Sequence, residues 1–160
     1  MKLIGITETA KIVRDILKDK FPATKFAVKS KKFSIYVKWM DGPTVNQVKA
    51  VVGNFHNAEF DSMTDLKVNH ATIYKGEEVR FANDYISFDR SYSYEFLSHC
   101  AKEVAQKYNI KPAIVETDEH SDAAYIRDDG DFMPGKDKNY KNYNYCARSL
   151  TLGYAFTHSK

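Results

Sequence analysis

Cysteine is almost missing from this chain: Cys100 and Cys146 are the two copies in 160 residues, and they form no CxxC pair. That spacing argues against a disulfide framework or a zinc ribbon. It leaves Cys100, on the apolar face of an expected helix, as a buried thiol rather than a bridge or a nucleophile. No stretch approaches the roughly 20 apolar residues of a membrane span. The apolar run within MKLIGITETAK is too short for a secretory signal. The expectation is a cytoplasmic protein with no membrane partner. The five histidines, His56, His70, His99, His120 and His158, never stand at i, i+4 to one another. Zinc needs about four converging N or S ligands, and no spacing here offers them. A Gly-rich phosphate loop, a GxSxG elbow, HExxH and a Cys-His-Asp order are likewise missing. No catalytic residue, metal or cofactor is expected.

What is present is an ordinary globular composition, 43% hydrophobic and 28% charged, in a chain long enough to bury about two-thirds of its unfolded surface. Tyrosine and phenylalanine are frequent, with 11 and 10 copies. They serve cores and strands, and Tyr also serves interfaces through its polar tip. Charge is unevenly placed: residues 1–60 balance to +6 and residues 61–160 to −3, giving the net +3. Such a dipolar field steers association with a charged partner.

The richest segment runs from Trp39 to Leu66. Asp41-Gly42-Pro43 is turn chemistry. Thr44 suits an N-cap with Gln47 as its capping-box partner. Val45, Val48, Val51, Val52 and Phe55 then keep helical spacing, and Gly53-Asn54 supplies a stop. Phe60 to Asp65 reads as a second turn with Phe60 and Met63 inward.

On either side, Thr7 to Lys20 reads as a helix with Ala10, Val13, Ile16 and Leu17 on one stripe, ended by Phe21-Pro22. Residues 25–30 and 33–40 alternate as a hairpin, with Phe26, Val28, Phe33, Ile35, Val37 and Trp39 or Met40 inward and Ser30-Lys31-Lys32 as its turn. Lys75-Gly76-Glu77 is a turn. One strand is expected within Val79 to Phe88, with Val79, Phe81, Tyr85, Ile86 and Phe88 as burial candidates. Ser93 to Tyr108 is the strongest helix, with Asn109 as its cap. Ala113–Thr117 and Ala123–Arg127 read as a second strand pair. The segment DDGDFMPGKDKNYKNYNY reads as a long loop or arm, and Ser149 to Phe156 as a last strand or short helix. Helix-strand-strand therefore occurs twice, at 7–40 and 93–127. The class is α+β: a single domain of about three helices packed on antiparallel strand pairs. Residues 1–127 form the domain, and 128–160 a Tyr-rich arm packed on it.

The DGPT turn, the short helix and the FDSMTDL stretch, with KFAVKSKKFSIYVKW before them and SYEFLSHCAKEVAQKYNIKPAIVE after, resemble the large polyvalent protein associated domains of phages and conjugative elements. The resemblance covers residues 7–127. It implies a mobile-element setting, in which such domains act against host defences or on host macromolecules. It carries no activity over to individual residues.

Three groups are candidates for binding. Asp118, Glu119 and Asp122, followed by Asp128, Asp129 and Asp131, form an acidic stretch. It reads as a solvated loop, a hard-cation site, or a mimic of nucleic acid for a basic partner. Lys29, Lys31, Lys32 and Lys38 sit on one hairpin, where they track phosphates or blunt a wet sheet edge. Tyr140, Tyr143 and Tyr145 stand among Lys136, Lys138, Lys141 and Arg148; this mixture suits stacking on single-stranded bases, a protein interface or a packed loop. The expectation is a non-enzymatic mobile-element accessory protein that binds a host macromolecule, a protein or nucleoprotein defence complex, and inhibits it in the manner of an anti-CRISPR protein. The alternative is a nucleic-acid-binding module using the basic hairpin and the Tyr-rich arm. An unrecognised enzyme site around Asp118–Asp131 ranks third.

Overall fold

The computed structural model describes residues 2–61, 66–69, 71–127, 132–133 and 145–159, with residues 58–61, 66–69, 132–133 and 145–150 in backbone only. The chain divides into two compact units, residues 1–39 with 45–90 and residues 40–44 with 91–160. The class is α+β, as the alternation of helical and strand periods implies.

In the first unit, β1 (Lys2–Ile4) leads into α1 (Ile6–Lys20). The hairpin follows as β2 (Phe26–Lys31) and β3 (Ser34–Met40), then α2 (Val45–Val52). A second hairpin pairs β4 (Ala58–Asp61) with β5 (Leu66–Asn69). The unit closes with β6 (Thr72–Tyr74), β7 (Glu77–Phe81) and β8 (Tyr85–Ser91). Of the expected turn over Phe60–Asp65, Phe60 and Asp61 belong to β4, and Ser62 to Asp65, including Met63, lie outside the described residues.

The main sheet has the order β2-β3-β8. Paired residues of a hairpin share a face. Phe26↔Trp39, Val28↔Val37 and Ser30↔Ile35 therefore form the inner face. Against it pack Ala10, Val13 and Leu17 of α1 and Val48 and Val52 of α2, all buried. Phe26 bridges Phe21 and Trp39, with ring centroids 6.0 and 5.5 Å away. Arg14 of α1 donates to the Val28 carbonyl at 3.0 Å.

Two expectations need correction here. The turn is Lys32-Phe33 rather than Ser30-Lys31-Lys32, because Ser30 and Lys31 still pair with Ile35 and Ser34. Phe33 is not inward: it sits at the tip, 66% exposed.

The expected single strand within Val79–Phe88 is two. β7 joins a second sheet, β1-β7-β6, in which β1 runs parallel to β7 and places Ile4 beside Phe81. Ile4, Val79 and Phe81 form its core, with the Phe55 ring edge-on to both Tyr74 and Phe81. The break between β7 and β8 is held by Asn83, fully buried. Its Nδ2 donates to the Phe55 carbonyl at 2.8 Å, and its own carbonyl accepts from Asn57 N at 2.9 Å.

In the second unit, α3 (Tyr94–Tyr108) begins at Ser93, whose Oγ accepts from Phe96 N, and ends at Asn109 in the left-handed region. That is the expected cap-to-cap helix. Cys100 is fully buried on its apolar face, as expected. The β9 (Val115–Thr117) and β10 (Ala124–Ile126) pair is antiparallel. β11 (Phe132–Met133) pairs with β12 (Tyr145–Cys146). The last element is a helix, α4 (Ala147–Thr157). Phe96, Leu97, Cys100, Ile126 and Ala155 make this unit's core.

Asp41 ties the DGPT turn to the start of α3. It holds φ +53° in the left-handed region and is buried. Its N–H donates to the Ser91 carbonyl at 2.9 Å, and its Oδ1 accepts from Ser93 N at 2.8 Å.

Candidate binding face

The register that sends Val28, Ile35, Val37 and Trp39 inward sends the alternate residues of the same strands outward. Ala27↔Lys38, Lys29↔Tyr36 and Lys31↔Ser34 are the outer pairs. β8 adds Tyr85 and Asp89 to this face: Lys38 Nζ lies 2.8 Å from Asp89 Oδ2, and the Tyr85 hydroxyl is bonded to those of Ser34 and Tyr36. These contacts pair the two strands in the same order along their length, so β8 runs in the same direction as β3. The outer face is thus a plate of Tyr36 and Tyr85 rings bordered by lysines.

The electrostatics follow from these contacts. Hydrogen bonds from the Ser34 and then the Tyr36 hydroxyl hold Tyr85 below the usual tyrosine pKa, against the opposing effects of burial and of Asp84. The Asp89 carboxylate, first by its hydrogen bond and then by its charge, raises Lys38. Lys38 is thereby engaged within the sheet. Among the described residues, no carboxylate pairs with Lys29, Lys31 or Lys32.

At the hairpin tip the Phe33 carbonyl accepts from Asp84 N at 2.7 Å. That bond brings the tip beside the start of β8, so the exposed Phe33 ring and Tyr85, 52% exposed, mark the same end of the face. Lys32, between Lys31 and Phe33, holds φ +53°. A side-chain-bearing residue there costs about 1 kcal/mol that glycine would avoid.

The other sequence candidates are placed differently. Asp118, Glu119 and Asp122 are exposed in the β9–β10 turn. Asp118 Oδ1 accepts from His120 N at 2.7 Å, so this carboxylate closes its own turn. Asp128, Asp129, Asp131, Tyr140 and Tyr143 lie outside the described residues, and Tyr145 is placed only as a backbone partner of Met133. Among the described residues, no three His, Cys, Asp or Glu side chains converge as metal ligands, and no helix is long and apolar enough to cross a membrane.

Sequence reasoning found the lysines but missed Phe33, Tyr36 and Tyr85 as their companions. The signal was the period of two. With 35, 37 and 39 inward, Tyr36 had to face outward beside Lys38.

The fold is α+β, and its main sheet carries an open, basic and aromatic outer surface. Residues 4–93 match the family described as large polyvalent protein associated domain 29, and the chain belongs to it. Membership associates the protein with phages and mobile elements. The match ends at Ser93, the residue on which the Asp41 carboxylate lands. No curated protein and no solved structure matches the chain.

Proposed function

We propose that this is a non-enzymatic accessory protein of a phage or mobile element. It works by binding a host macromolecular complex and so inhibits a defence system. One observation carries the reading: the outer face of β2-β3-β8 gathers exposed rings with Lys29, Lys31 and Lys32, which have no carboxylate partner among the described residues, on a sheet whose other side packs on a buried core. A flat face of this kind suits recognition, since rings give contact area and cations give steering. The mobile-element setting supplies the defence target.

The test is affinity capture from host lysate with the tagged wild type and with a Lys29→Glu, Lys31→Glu, Lys32→Glu variant of unchanged circular dichroism. The reading expects a discrete host complex on the wild type that the variant loses. Equal capture by both would remove this face from the account.

A further inference from the structure

We propose that the Phe33–Tyr85 end of the β2-β3-β8 face is a site for single-stranded nucleic acid, in which bases stack on Phe33 and Tyr85 while Lys29, Lys31 and Lys32 hold the phosphates. This deepens the proposed function and rests on its claim that this face is the contact surface. Three features on the face fit together. The two exposed rings stand at one end, joined through the Asp84 N–Phe33 O bond at 2.7 Å. Lys29 and Lys31 lie outward on the adjoining strand, and Lys32 stands next to Phe33 at the tip. A row of cations beside exposed rings complements a chain of phosphates with unstacked bases. A duplex buries its base faces and offers the rings nothing to stack on.

Chain conformation adds a further argument. Lys32 occupies the left-handed region, where glycine or asparagine would fit with less strain. Strain of this kind is retained where the side chain is useful, and here the side chain places a cation beside an exposed phenylalanine. Lys32→Gly should therefore raise stability while lowering affinity.

The experiment is fluorescence anisotropy of the full chain with labelled oligothymidylate and oligouridylate of about 20 nucleotides, and with a duplex of equal length, at about 50 and 200 mM salt. The single strands should bind, and more tightly than the duplex. The Lys29→Glu, Lys31→Glu, Lys32→Glu variant should lose at least about tenfold and flatten the salt slope by about two, at roughly 0.7 per phosphate contact. Phe33→Ala and Tyr85→Ala should each weaken binding about tenfold, whereas Tyr85→Phe should retain it, since stacking needs the ring and not the hydroxyl. Preference for the thymidylate or the uridylate identifies the strand as DNA or RNA. Absence of single-strand binding, equal binding of the duplex, or indifference to Phe33→Ala and Tyr85→Ala would overturn the inference. If the strands fail to bind while lysate capture still depends on the three lysines, the face binds protein: the inference falls and the proposed function stands.

Discussion

Replacing Asp41 separates two reasons for its presence in the turn. Its Oδ1 accepts the Ser93 N–H at 2.8 Å, at the mouth of α3, and its backbone holds φ +53°. A charge-assisted hydrogen bond to a part-buried amide contributes about 1.5–3 kcal/mol. A left-handed alanine costs about 1 kcal/mol more than a residue that tolerates this region. Asp41→Ala loses both and should destabilise by about 2.5–4 kcal/mol. Asp41→Gly loses the bond but relieves the backbone, for about 2 kcal/mol. Asp41→Asn keeps an acceptor and tolerates the conformation, so it should cost less than about 1.5 kcal/mol. At about 2–4 °C per kcal/mol for a chain of this size, alanine lowers Tm by roughly 5–16 °C. Urea unfolding followed by far-UV circular dichroism should give the order Asn, Gly, Ala. Asparagine as damaging as alanine would refute the side-chain bond, and glycine worse than alanine would refute the left-handed backbone.

Gly53→Ala should destabilise by about 1–3 kcal/mol, because a Cβ there would overlap the Lys49 carbonyl oxygen and backbone must move; a variant as stable as the wild type in denaturant melts speaks against that packing. Asn83→Ala orphans the Phe55 carbonyl and should cost about 1–3 kcal/mol. Asn83→Asp should be worse at neutral pH and recover in acid, where only the protonated carboxyl can donate; a flat pH response contradicts it. In alkaline titration followed by tyrosine absorbance, Tyr85→Phe should remove an early component and Tyr125→Phe a late one, because the Tyr125 hydroxyl donates to Glu116 at 2.8 Å and its pKa is raised by that bond and by the Glu116 charge. The lowered Tyr85 contributes fully to the folded chain above the ordinary value of 10.0, and that contribution is lost as pH falls through its folded pKa. The raised Tyr125 contributes fully below 10.0 and loses its contribution as pH rises through its folded pKa.

Much of the fold was legible because its elements announce themselves locally. Ser93 and Asn109 bracket α3 as cap and stop, and the valine rhythm after Thr44 gives α2. The elements missed depend on distant partners. β1 is three residues long, and its place comes from β7, more than seventy positions away. The division of 79–88 was not visible locally: Val79 and Phe81 pack in the second core from odd positions and Ile86 and Phe88 on the main core from even ones, a pattern that one unbroken strand with two buried faces would also give. Asn83, whose partners Phe55 and Asn57 are distant in sequence, sits at the break. Phe33 was misassigned because its spacing from Ile35 fits an inward face, but the turn begins at Lys32 and frees it from the alternation. The basic half of the candidate site came directly from lysine spacing. Its aromatic half needed strand register, and its link to Tyr85 needed the third strand.

The most direct test of the proposed binding face is differential acetylation of lysines, read by mass spectrometry, on the full chain alone and in its captured host complex. Protection of Lys29, Lys31 and Lys32, with the exposed Lys18, Lys20, Lys102 and Lys107 of α1 and α3 unchanged, is the predicted result. Protection confined to the helices, with the hairpin lysines as reactive as in the isolated protein, would contradict the account.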